Sequence, residues 1–548
     1  MKISKYLILL VIVLFQTSTL MAEDWSDPAI IIPIPSSWTV SSAANPQLAI
    51  DSTGRVFAIW YSDVDDGGGS KKRILSSIYS SGQWSEASII PVPGSWTLLD
   101  ITTQPQLAID SNDNVHAIWQ IFDTDDLGVK FRIASSIYSN LGGWSLAEKI
   151  PPPSGSPVQF ARPQLAIDST NKVFAVWGYD SGGNTEIASS IYSSGSWSSE
   201  ATMIPSPPGT TIRIKPQIKI DLTDKVYLIC SATISGNKAM VSSIYSSGSW
   251  SSETIPPPAG TETVTDDPQL AIDSNNNVYA AWESTVDGQK EVVSSIYSSG
   301  SWPSEATIIP PPPGTVSSTN RPNIALDSNN NVYVAWESTI DGQKEIISSV
   351  YNSGSWSSEA IIIPVPSSWT ISTAARVGLA IDATDKIYAL WDANIDGQIE
   401  IANSIYSSGS WSESTIVPPP TGTVTSTKRP QPAISTDKVY VIWESVVDGN
   451  DQIVSSIKAL QTLVLSGSQY KVQSLYESDL INLLSWQAIG GALYYNIYLD
   501  LNKTNLLARV NNQTSFIHHN RTRNEQTTYY VTYVDAGGES TPISITVP

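Results

Sequence analysis

Eight short stretches of the type Arg-Pro-Gln-Leu-Ala-Ile-Asp recur along this chain, and the residue opening each is the first place to look for chemistry. Those residues are Asn45, Gln104, Arg162, Lys215, Asp267, Arg321, Arg376 and Arg429. Five of the eight are basic, in a chain whose formal charge is -21. Arginine presents a planar fork of donors that matches carboxylate, sulfate or phosphate, so clustered arginines read as an anion clamp. The competing reading pairs each cation with an acid in the next loop. Three further tryptophans, Trp38, Trp96 and Trp369, stand in "PSSWT" and "PGSWT" segments where other repeats have "PPPGT". Tryptophan beside arginine makes a platform for a sugar ring bearing an acid group. Packing of these loops against proline is the alternative.

Other chemistries fit less well. The "DSNNN" and "DSNDN" stretches hold oxygen donors, yet a calcium loop needs a longer defined spacing and a bidentate acid. Asx residues making local turns account for them. One cysteine and three histidines exclude a zinc site. His116 falls in a strand pattern while His518 and His519 fall near the C-terminus, so no Ser-His-Asp constellation forms. No catalytic residue, metal or cofactor is expected. The acidity disfavours nucleic acid and anionic membranes as partners.

The elements that position these residues follow from repetition. The landmarks Leu48, Leu107, Leu165, Ile218, Leu270, Ile324, Leu379 and Pro432 are spaced by 52 to 59 residues. Each unit reads as four short strands. In the unit from Arg321 to Pro364, "NIALD" is an apolar inner strand and "DSNNN" a turn; "VYVAW" is the second strand and "IDGQ" an Asp-Gly hairpin. "EIISSVY" is the third, "NSGS" turns again, and "WSSEAIIIP" is the fourth. Four β-like runs at a period near fifty are a propeller signature. The tryptophans that begin the fourth strands (Trp25, Trp84, Trp144, Trp197, Trp250, Trp302, Trp356, Trp411) are expected to pack between blades; a ring of sugar-stacking sites is the alternative.

The array begins with a lone fourth strand, "DWSDPAIIIP", and ends after a third, "QIVSSIKAL". An eight-bladed propeller over 23–459, closed by the N-terminal strand, is therefore expected, since closure removes an open edge. If the inner strands run along the channel, the basic residues ring one of its mouths. Cys230 replaces a tryptophan that recurs in the other second strands and reads as a buried thiol.

Lys2 and Lys5, the apolar run 6–15 and a cut after Ala22 read as a secretory signal peptide over 1–22. An uncleaved anchor is the alternative. A secreted or extracytoplasmic location, in the periplasm or at the cell surface, follows; no other segment has the length of a membrane span. The mature protein is expected to be a monomer.

Two resemblances add to this reading. "INLLSWQAIGGALYYNIYLD" and "TTYYVTYVDAGGES" resemble a fibronectin type III domain over Leu463–Pro548, which implies a seven-stranded sandwich in the final domain, 460–548. The order "RPQLAID…VFAVW…EIASSIYSSGSW" is similar to sialidase-like propellers with Asp-box repeats. The family's box has the form Ser-x-Asp-x-Gly-x-x-Trp; Ser190, Gly195 and Trp197 keep its flavour, but Tyr192 stands where the aspartate belongs. Enzymes of that family have six blades, an arginine triad and a Tyr–Glu pair with a separate acid. The resemblance nominates arginines here but locates no nucleophile pair. Near-identity of units such as 282–302 and 336–356 favours repeated weak binding sites over an enzyme, whose groups must differ between blades. The expected function is a non-catalytic binding protein for a glycan or an extracellular protein. The alternative is a sialidase-like glycoside hydrolase, or its inactive relative, acting on acidic glycans.

Overall fold

A computed structural model describes residues 25–548 apart from 27, 95, 97, 101–104, 126–127, 155–161, 182, 265–266, 461–464, 474–477, 487–488, 490–491, 512, 520, 522–525, 536–537, 541 and 548. The expected signal peptide and Gln104 lie outside the described residues. The described chain is all strand and turn, and none of it forms a helix long and apolar enough to cross a membrane. It divides into one compact unit over Trp25–Leu460 and a second that contains Gln461–Pro548.

The sixth repeat shows how sequence becomes sheet. Its inner strand Val316–Leu326, second strand Val332–Ile340 and third strand Gln343–Asn352 form an antiparallel sheet. Asp341 and Gly342 close the hairpin with φ of 49° and 84°, the left-handed pair that matches strand twist. Ser353 and Gly354 repeat the device with φ of 49° and 90°. The Asx turn is built on Asp327, whose carboxylate accepts from the backbone N–H of Asn329 (2.9 Å) and Asn331 (2.8 Å). Ser328 donates its N–H and hydroxyl to Asp385 of the next repeat, so these turns also tie neighbours together.

The fourth run differs from a single strand. Only Ser355–Trp356 and Ile361–Ile362 pair with the third strand. Between such pieces the chain leaves its own sheet: Ala87, Ala147 and Ala306 donate their N–H groups to Pro33, Pro91 and Pro256 at the end of the preceding repeat. The fourth repeat is two residues shorter there and runs unbroken over Ser249–Ile255.

Hydrophobic cores lie between repeats, giving a propeller-like arrangement. One joins Tyr279, Ala281 and Val292 to Val334, Trp336 and Ile347 of the following repeat. The fourth-run tryptophans join these cores; seven of them lie against the tyrosine that ends their third strand, edge-on in six, as Tyr351 and Trp356 are at 5.4 Å, and tilted for Tyr245 and Trp250, while Trp25 faces Lys458. The indole N–H of Trp197, Trp356 and Trp411 donates to Ser135, Ser294 and Ser348 of the preceding repeat at 2.8, 2.7 and 2.6 Å. The recurrent "SSIYSSGSW" thus supplies both the tryptophan and the serine that receives its neighbour's indole. Inner strands touch in cyclic order, the eighth returning to the first. The N-terminal strand Ile30–Ile31 pairs antiparallel with Asn450–Ala459, third strand of the last repeat.

In the second unit, Leu465–Gln473, Ser478–Trp486 and Ser515–His518 form one sheet. Leu506–Val510, Tyr494–Tyr498 and Thr527–Asp535 form another, with Gly538–Glu539 and Ile543–Val547 both on Thr527–Asp535. Leu484, Trp486, Ile497, Tyr529 and Val531 fill their shared core.

Candidate functional site

In repeats one, four, six, seven and eight the residue opening the recurrent stretch sits on a β-bulge within the inner strand. Pairing slips between Ala44 and Gln47, Ile214 and Gln217, Asn320 and Asn323, Ala375 and Gly378, and Lys428 and Gln431. The residue at this position takes a left-handed backbone at every described repeat: Asn45 55°, Arg162 68°, Lys215 54°, Asp267 66°, Arg321 50°, Arg376 55° and Arg429 59°. Such a conformation is uncommon outside glycine and has to be held by its surroundings. Proline follows six of these seven, and lacks an N–H that the interrupted ladder would leave unpaired.

Acidic side chains hold the bulges in repeats six, seven, eight and one. The backbone N–H of Arg321 donates to Glu283 at 2.7 Å, that of Arg376 to Glu337 at 3.1 Å, that of Arg429 to Asp392 at 3.2 Å, and that of Asn45 to Glu444 at 2.7 Å. Each acid follows the second-strand tryptophan of the preceding repeat. Three of them also pair with the guanidinium of their own repeat: Arg321 with Glu337 at 2.9 Å, Arg376 with Asp392 at 3.1 Å, Arg429 with Glu444 at 2.8 Å. The result is a chain of alternating contacts running through repeats five to eight and back to one. These three arginines therefore pair with acids on the second strand of their own repeat, whereas Lys215 pairs with Asp267 at the start of the next repeat. Burial pushes the Asp392 carboxyl above the usual aspartate range despite Arg376 beside it. Burial opposes the charge on Arg321, but Glu337, Asp267 and Glu283 outweigh it and raise the guanidinium above its ordinary value.

Above these acids the guanidiniums remain half-exposed and share one cavity of about 740 Å³. Arg162, Lys215, Arg321, Arg376 and Arg429 all line it, with Asp267 the one carboxylate among the described lining residues. Lys215 pairs with Asp267 at 2.7 Å. Amides from the next level of the inner strands, Gln269, Asn323 and Gln431, also face it. Gly378 replaces the amide in repeat seven; a Cβ there would lie 2.7 Å from Pro432 Cδ, so the missing side chain makes room for that proline.

Trp38, Trp96 and Trp369 do not line this cavity. Each sits in a turn whose N–H reaches Pro35, Pro93 or Pro366, and each packs partly buried against a core between repeats. The Lys149 ammonium lies 4.9 Å from the Trp96 ring. A separate cavity of about 440 Å³ lies between repeats five and six, against Tyr351 and Trp356.

Glu283, Glu337, Asp392 and Glu444 were not anticipated as part of a site. Their signal is the Trp-Glu or Trp-Asp dipeptide confined to repeats five to eight, where repeats one to four carry Tyr61, Gln120, Gly178 and Ser231. Among the described residues no group of three His, Cys, Asp or Glu is placed to hold a metal.

No family model and no curated protein matches this chain. Among solved structures it is similar to an ulvan lyase bound to -[GlcA(1-4)Rha3S]-, at 12% identity, over 77% of this chain and 94% of that one, with a TM-score of 0.43. It is also similar to a polysaccharide lyase at 11% identity, over 69% and 93%, with a TM-score of 0.40. An α-L-arabinofuranosidase from Fusarium graminearum in complex with an iminosugar inhibitor aligns at 12% identity over 57% and 96%, with a TM-score of 0.32. No activity is carried from these proteins to this chain.

Proposed function

We propose that this chain is a secreted, non-catalytic binding protein that recognises acidic groups of a glycan through the arginine-lined cavity. In this reading residues 23–459 form an eight-bladed propeller closed by the N-terminal strand, residues 460–548 are a fibronectin type III-like sandwich, and 1–22 direct export. The carrying observation is the convergence of Arg162, Lys215, Arg321, Arg376 and Arg429, from five repeats, on one 740 Å³ cavity. The carboxylates beneath Arg321, Arg376 and Arg429 fix each guanidinium on one edge and leave donors for a ligand's carboxylate or sulfate. Preorganised donors lose little freedom on binding.

The test is a glycan array probed with the mature protein and with Arg321→Ala/Arg376→Ala/Arg429→Ala. Binding confined to acidic glycans and lost in the variant is expected. Absence of binding by the unaltered protein overturns the reading and turns attention to a protein partner.

A glycan-cleaving enzyme is the second reading, and one observation favours it. The four acids break the repeat symmetry, and Asp392 is held toward its protonated form, as a general acid requires. Against it, Glu337, Asp392 and Glu444 are each engaged by a guanidinium and a backbone N–H, so none of these three is a free base. Release of reducing ends from array-positive glycans, abolished by Asp392→Asn, would decide for the enzyme.

A further inference from the structure

One inner-strand position breaks the repeat in a way the arginine cluster does not use. Lys219 occupies it in repeat four, where the other seven repeats have alanine, Ala166 and Ala271 on either side. Alternation along the strand puts Lys219 on the same face as Gln217. Gln269 and Asn323, the counterparts of Gln217 in repeats five and six, line the arginine cavity. Two strand residues advance about 7 Å, so Lys219 lies that far beyond the amide level, toward the channel interior. The inner strands touch in cyclic order around it.

Lys219 is exposed to solvent. The surrounding protein nevertheless desolvates its ammonium in part, which lowers it below the usual lysine range. Solvent access together with partial desolvation fits a lysine on the inward face of the ring of inner strands. Among the described residues no acid forms an ion pair with it. A cation so enclosed gains most from an anion brought in from outside.

We propose that Lys219 receives a second anionic group of the ligand, deeper than the group held by the arginines. The ligand class is then an acidic oligosaccharide with charges on successive rings, entering the channel by one end, rather than a single terminal acid. This rests on the cavity being the glycan site.

The test compares the unaltered protein, Lys219→Ala and the triple arginine variant by calorimetric titration with galacturonate and its oligomers from dimer to tetramer. Alanine is the residue of every other repeat at this position, so Lys219→Ala keeps the fold. The expected result is an affinity that rises about tenfold from monomer to tetramer, equivalent to about 1.4 kcal/mol. Lys219→Ala removes the rise and leaves monomer affinity unchanged. An undiminished rise in Lys219→Ala overturns the role of Lys219, and if the arginine variant still loses binding, the cavity reading stands. No binding of any oligomer by the unaltered protein overturns both.

Discussion

The fourth repeat carries a paired exchange that can be taken apart. Its second strand has Cys230 where the other seven have tryptophan, and its inner strand has Arg213 where Ala43, Thr319, Ala374 and Thr427 stand in other repeats. Cys230 and Arg213 are both fully buried. The guanidinium donates to the carbonyls of Ile204 and Pro205 (both 3.1 Å), to the hydroxyls of Ser206 (3.3 Å) and Ser243 (2.7 Å), and to the Cys230 sulfur at 3.4 Å. A long planar cation thus takes the space that an indole fills elsewhere, with its donors satisfied.

Arg213→Ala empties that space and strips partners from buried acceptors, a loss of about 3–5 kcal/mol for a large buried side chain. Cys230→Trp alone forces an indole against Arg213 and costs about 1–3 kcal/mol or more by overpacking. Together, Arg213→Ala/Cys230→Trp restores the small-plus-tryptophan pattern of the other repeats. The double variant is expected close to the unaltered protein, with a coupling of several kcal/mol between sites that share one space. Urea unfolding followed by tryptophan fluorescence and circular dichroism reads all four proteins. A double variant as unstable as the sum of the singles would refute the exchange.

Two further outcomes follow from the site and the repeats. The folded-state pKa of Asp392 is raised, so the folded protein takes up this proton first as pH falls and gains stability over the unfolded chain in that window. Protonation frees the Arg376 guanidinium, so acidic-ligand affinity rises from neutral into mildly acid solution; Asp392→Asn should flatten that rise, and identical pH profiles would refute the link. Trp411→Phe loses the indole bond to Ser348 and should cost about 1 kcal/mol more than Trp84→Phe, whose buried indole N–H has no partner among the described residues, measured by unfolding midpoint.

Much of this was legible in one dimension because a repeat states its own register. The Asp-Gly and Ser-Gly hairpins, the Asx turns and the tyrosine–tryptophan junction are local, each fixed by residues within a few positions, and the structure places them where the pattern does. The basic residues were also visible, since they recur at one offset. Their partners were not, because an acid on a second strand reaches a bulge in the next repeat some 37 to 39 residues later. The break in the fourth run escaped for the same reason: it serves a carbonyl in the preceding repeat. The tryptophans of "PSSWT" look the same in sequence whether they face a ligand or a core, and only packing put Trp38 and Trp369 against the cores between repeats. Sequence alone determined the first three strands of each repeat, the turns and the repeat number, because short-range hydrogen bonds and hydrophobic period set them. Tertiary structure decided which acids orient which arginines and how five repeats converge on one cavity, because those contacts join residues far apart in the chain.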